Sequence, residues 1–73
     1  MFTIKFIYKD DTYLEFNHII KIEYQGYDKF VLLEGNDILS CKLPSTKDVY
    51  MFSENASYTA YGPDVKSVSI VRE

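Results

Sequence analysis

The chain has 73 residues, 47% of them hydrophobic and 16% aromatic, and a formal net charge of −3 from eight basic and eleven acidic side chains. This length excludes more than one domain and leaves a core near the lower limit for independent folding. A lone cysteine (Cys41) and a lone histidine (His18) exclude an internal disulfide and a four-ligand zinc site, so stability must come from aromatic packing or from association.

Met1 leads straight into the alternating run Phe2-Thr3-Ile4-Lys5-Phe6-Ile7-Tyr8, without the basic and then apolar segments of an export signal. No uncharged apolar stretch is long enough to cross a bilayer. With the free cysteine, these features predict a cytoplasmic protein with no membrane contact. Alternation places Phe2, Ile4, Phe6 and Tyr8 on one strand face and Thr3, Lys5, Ile7 and Lys9 on the other. A three-residue loop at Lys9-Asp10-Asp11 pairs Tyr8 with Thr12, Phe6 with Leu14 and Ile4 with Phe16. That register keeps the apolar residues together, whereas a two-residue loop splits them. Asp11 is predicted to adopt the left-handed conformation.

Asn17-His18 breaks the second run, and residues 20–24 read as a third strand. Gly26-Tyr27-Asp28-Lys29 reads as a turn, Phe30–Glu34 as a buried strand, Glu34-Gly35-Asn36-Asp37 as a tight turn, and residues 38–43 as its partner strand. Pro44-Ser45-Thr46-Lys47-Asp48 joins the two halves. Over residues 45–54 a capped helix competes with a strand, since Asp48 stands three after Ser45 and Val49 and Phe52 fit helical spacing. The Val49-Tyr50-Met51-Phe52 run favours the strand. The loop rule of the first hairpin, applied to Ser53-Glu54-Asn55, pairs Phe52 with Ala56 and Tyr50 with Tyr58 and makes Asn55 left-handed. Gly62-Pro63-Asp64 then precedes a last strand over residues 68–71. The chain thus reads as one β unit written twice, over residues 2–24 and 48–71, within a single domain spanning 1–73. The expected fold is all-β: a small barrel, roll or two-sheet sandwich of seven or eight short antiparallel strands.

No reactive constellation emerges. His18 has no nucleophile or orienting carboxylate at motif spacing and reads as a turn residue. Cys41 and Lys42, as strand neighbours, point to opposite faces, so the thiol reads as a small buried packing group. The acidic turns around Asp10-Asp11 and Glu34-Asp37 lack calcium-loop spacing, and Gly26, Gly35 and Gly62 stand alone without forming a phosphate loop. No catalytic, metal or cofactor-binding residue is assigned, and no cofactor is expected.

Lys5, Lys9, Lys21, Lys29, Lys42, Lys47, Lys66 and Arg72 are scattered, which argues against nucleic acid as a partner. The register instead leaves Ile7, Tyr13, Met51 and Tyr61 on the face away from the core, with Ile7 and Met51 at equivalent places in the two units. These four are the predicted partner-binding residues. The expected function is a non-enzymatic intracellular protein-interaction module that contacts a protein partner or self-associates, of the kind found among accessory or inhibitor proteins of phages and mobile elements. The alternative is a small-barrel protein that binds single-stranded nucleic acid.

Overall fold

Strict alternation in the first strand sets the layer order, because Phe2, Ile4 and Phe6 are all buried while Thr3, Lys5 and Ile7 face away from the core. The computed structural model describes residues 1–40, 43 and 47–73. In chain order the strands are β1 (Phe2–Tyr8), β2 (Tyr13–Ile19), β3 (Lys21–Gln25), β4 (Phe30–Glu34), β5 (Val49–Phe52), β6 (Ser57–Ala60) and β7 (Val65–Arg72), with one helical turn α1 (Asp37–Ser40) after β4. All pairings are antiparallel. They make a three-stranded sheet of order β2-β1-β7 and a four-stranded sheet of order β4-β3-β5-β6. The fold is a small two-sheet sandwich and not a closed barrel. No helix among the described residues is long and apolar enough to cross a membrane.

The topology has an internal exchange. Each hairpin, β1-β2 or β5-β6, stays within one sheet, and the strand that follows it crosses over to pair with the central strand of the other sheet. Strand β3 thereby pairs with β5, and β7 pairs with β1. Both crossings are tied to the opposite hairpin where its loop begins: Ile20 N–H donates to the Phe52 carbonyl (2.9 Å) and Lys9 N–H to the Asp64 carbonyl (2.8 Å). Swapping β1 with β5, β2 with β6 and β7 with β3 converts one three-strand set into the other, and β4 is the addition that breaks the equivalence.

The first hairpin has the predicted register, with Phe6 opposite Leu14 and Ile4 opposite Phe16. Tyr8 N–H bonds the Thr12 carbonyl, Asp11 N–H bonds the Tyr8 carbonyl, and Asp11 has φ 68°. The second hairpin differs by one residue. Phe52 pairs with Ser57 and Tyr50 with Thr59, so the loop holds four residues and closes with Ser53 N–H on the Ala56 carbonyl. Asn55 is not left-handed. A one-residue slip turns every side chain over, and it places Val49 and Met51 in the core instead of Tyr50 and Phe52.

Three further expectations are corrected. Asn17-His18 does not end a strand, because β2 continues through it as a bulge, with a register shift between Phe2 and Ile4 of β1 and His18 at φ 62°. Strand β4 is an edge, not a buried strand, with Phe30 and Leu32 exposed. The strand predicted over 38–43 is replaced at its start by α1, which Gly35 at φ 59° allows the chain to enter and which drives Ile38 fully into the core. Cys41 and the 44–46 part of the linker lie outside the described residues.

The buried core is mainly aliphatic: Ile4, Ile19, Ile22, Ile38, Val49, Met51, Ala60 and Val65, joined by Phe2 and Phe6. The tyrosines stay out of it. Tyr8 and Tyr24 pack partly against the core, while Tyr13, Tyr27, Tyr50, Tyr58 and Tyr61 are exposed.

Candidate functional site

The outer face of the four-stranded sheet carries the largest share of exposed apolar side chains. Across the four strands Leu32, Glu23, Tyr50 and Thr59 form one row, and Glu34, Lys21, Phe52 and Ser57 form the next. These positions alternate with buried Ile22, Val49, Met51 and Ala60, so their side chains point outward. Phe30 and Leu32 are each 51% exposed, Tyr50 is 38% exposed, and Tyr27 on the β3–β4 turn is fully exposed. Two of the charges that interrupt this tract engage each other locally: Lys21 Nζ lies 4.4 Å above the Phe52 ring and 3.8 Å from the Glu23 carboxylate.

The outer face of the three-stranded sheet is more polar. Ile7 stands directly opposite Tyr13, as the predicted partner face requires, but its neighbours are Lys5 opposite Glu15 and Ser69, and Ser67 on β7. Lys5 Nζ covers the Tyr13 ring at 4.4 Å. Met51 does not join this pair, because it is fully buried on β5; its assignment to an outer face is overturned by the four-residue loop. Tyr61 is exposed but lies at the end of the molecule, where with Tyr8, Thr12 and Pro63 it lines an open groove of about 490 Å³. The rim of that groove is held by Asp10, whose carboxylate accepts from the Thr12 hydroxyl (2.6 Å) and N–H (3.1 Å) and is held below the ordinary carboxylate range by those two bonds. Burial pushes the Tyr8 phenol up, so it remains a neutral donor.

A feature that the sequence does not announce is the pairing of His18 with Glu73. The His18 ring Nδ1 lies 2.8 Å from Glu73 Oε1, while Glu73 Oε2 accepts from the His18 N–H (2.6 Å) and the Thr3 hydroxyl (2.9 Å). The backbone N–H, followed by the Thr3 hydroxyl and the ring, holds the Glu73 carboxyl below its usual range. The β2 bulge makes this possible, since the left-handed His18 directs its own N–H and its ring to the same carboxylate. The geometry supplies the orienting carboxylate that a histidine base requires. A nucleophile is another matter. His18 shares a shallow groove with Ser53, but the Ser53 hydroxyl donates to the Ala56 carbonyl (3.3 Å). Among the described residues no group of three or more His, Cys, Asp or Glu is placed to hold a metal ion.

The chain matches no protein-family model, and no curated protein and no solved structure is significantly similar to it.

Proposed function

We propose that this chain is a non-enzymatic protein-interaction module that docks its partner on the outer face of the four-stranded sheet. The observation that carries this reading is the exposure of Phe30, Leu32 and Tyr50 on the outward-facing strand positions, with Tyr27 exposed on the adjoining turn. Tyrosine and phenylalanine on rigid strands give large contact area at small cost in side-chain entropy, and they are enriched at interface centres. The scaffold needs none of these four for its core, which is mainly aliphatic. The size and exposed tyrosines suit the accessory or inhibitor proteins of phages and mobile elements, whose work is contact and not turnover.

The competing reading, a single-strand nucleic-acid binder, needs cations interleaved with these aromatics. Here Lys21 is held by Glu23, Lys66 by Asp11 (2.9 Å), and Arg72 bonds Asn36 (2.9 Å).

The test places a photoreactive phenylalanine analogue at Tyr50 and, as control, at Ser69 on the outer face of the other sheet. Irradiation in producing cells should yield one discrete protein adduct from position 50 and none from position 69. Equal labelling from both positions, no protein adduct from position 50, or an adduct with nucleic acid would each overturn the reading.

A further inference from the structure

The four sheet edges are not equally protected. Strands β2 and β7 each carry a register shift against β1, and β6 has only four residues. Bulges and shortness are two of the ways in which proteins blunt an edge against pairing with another chain. Strand β4 has neither. Its sequence Phe30-Val31-Leu32-Leu33-Glu34 pairs with β3 in unbroken register, contains no proline or lysine, and has no described strand beyond it.

The hydrogen-bond phase of this edge follows from the turn before it. Gly26 N–H bonds the Lys29 carbonyl (2.7 Å), which makes Gln25–Phe30 a wide pair. Antiparallel ladders alternate wide and narrow pairs. Val31 and Leu33 therefore direct their backbone groups to β3, while Phe30, Leu32 and Glu34 direct theirs outward.

We propose that two copies of this chain pair antiparallel through β4, centred on Leu32, to join their four-stranded sheets into one continuous sheet. A two-fold axis at Leu32 sets Leu32 opposite Leu32 and Phe30 opposite Glu34. These are the residues with outward backbone groups, so every free N–H and C=O on the edge finds a partner. Shifting the centre to a neighbouring residue leaves some of them unpaired. Charge also selects this arrangement. Lys29 precedes the strand, Glu34 ends it and Asp37 follows, so antiparallel pairing brings Lys29 of each copy toward the acidic end of the other, while Asp28 falls opposite uncharged Asn36. Parallel pairing would set like against like.

A five-residue edge buries well under the roughly 1,200 Å² of a durable complex. The flanking Phe30, Leu32 and Tyr27 side chains add area, and the association is weak and concentration-dependent. The pairing does not rest on the docking proposed for the outer face, although the two surfaces share Tyr27, Phe30 and Leu32, and Tyr50 belongs to the docking surface alone.

The test combines sedimentation velocity with amide hydrogen exchange, from about 5 μM to about 1 mM protein. Dimer formation should rise with concentration, and protection at the Phe30, Leu32 and Glu34 amides should rise with it while Val31 and Leu33 stay protected throughout. Leu32→Pro removes only an outward N–H, so the fold persists while the dimer dissociation constant rises more than about tenfold. Leu32→Lys is the second variant should proline unfold the edge, and it is expected to weaken the dimer similarly. Tyr50→Ser, two strands in from the edge, should leave self-association unchanged whatever becomes of partner docking. A wild type that stays monomeric at the highest concentration, or amides at 30, 32 and 34 whose exchange ignores concentration, would overturn the proposal. So would a dimer indifferent to both Leu32 variants.

Discussion

The rings of Phe16 and Tyr58 lie 5.1 Å apart at a 43° tilt, and through them edge strand β2 of one sheet meets edge strand β6 of the other. Phe16 also meets Phe6 edge-on at 6.0 Å, so it links the closing contact of this side of the sandwich to the core. Phe16→Ala should destabilise the domain by about 2 kcal/mol, less than for a fully buried phenylalanine because Phe16 is half-buried. Tyr58→Ala should cost about 1 kcal/mol, with a coupling of about 0.5–1.5 kcal/mol between the two in a double-mutant cycle read by urea unfolding.

Asp11 and Asp64 both hold positive φ, 68° and 73°. Glycine takes this conformation without the steric penalty of a side chain, so each change to Gly should stabilise by a few tenths to about 1 kcal/mol. Asp11→Gly also gives up the exposed ion pair with Lys66, so Asp64→Gly should gain slightly more. Thermal midpoints of the two single variants check both sign and order. A drop for Asp64→Gly would contradict the strain assigned to that turn.

Glu73 and Asp10 are both held below their ordinary values of 4.5 and 3.8. A carboxyl with a depressed native pKa contributes stability that is complete above its unfolded value and disappears as pH falls through the native value. The domain should therefore weaken progressively below about pH 4.5, and Glu73→Gln should flatten that acid limb. Urea midpoints measured at about pH 7 and pH 3 test this. Parallel losses in wild type and variant would show that Glu73 takes no part.

Met51 and Ile7 should respond oppositely to the same substitution. Met51→Lys buries a charge without a partner in the core and should prevent folding, whereas Ile7→Lys replaces an outer-face side chain between Tyr13 and Ser67 and should cost under about 1 kcal/mol. Circular dichroism separates the outcomes.

Gly62→Ala should also be severe, because a Cβ there would overlap the Lys47 backbone, which cannot rotate away as a side chain could. A loss of about 2–3 kcal/mol is expected, measured by the same unfolding titration.

The contrast between the two hairpins shows what a pattern can and cannot specify. In β1, polar Thr3 and Lys5 alternate with Phe2, Ile4 and Phe6, so only one register buries an apolar face, and the loop length follows. In β5, Val49, Tyr50, Met51 and Phe52 are all apolar, so both registers offer a hydrophobic face and alternation cannot choose. The choice falls to tertiary context: β3 pairs Met51 with Ile22, both fully buried. The Tyr50–Leu32 surface was hidden from sequence reading by the same ambiguity and by the apolar run of β4, which resembles a buried strand. The pairing of His18 with Glu73 depends on a bulge and spans a sequence separation of 55, which no local spacing records.

The exchange of third strands between the two hairpins has a kinetic consequence. Neither half of the chain holds a complete sheet: the first-half hairpin β1-β2 needs β7 from the second, and the second-half hairpin β5-β6 needs β3 from the first. The β1–β7 ladder joins Phe2 to Arg72, so its loop-closure cost falls late and on nearly the whole chain. Folding should be all-or-none and slow for so short a protein. During synthesis the three-stranded sheet cannot close until the last strand has left the ribosome, while the β4 edge has already been exposed for much of that time.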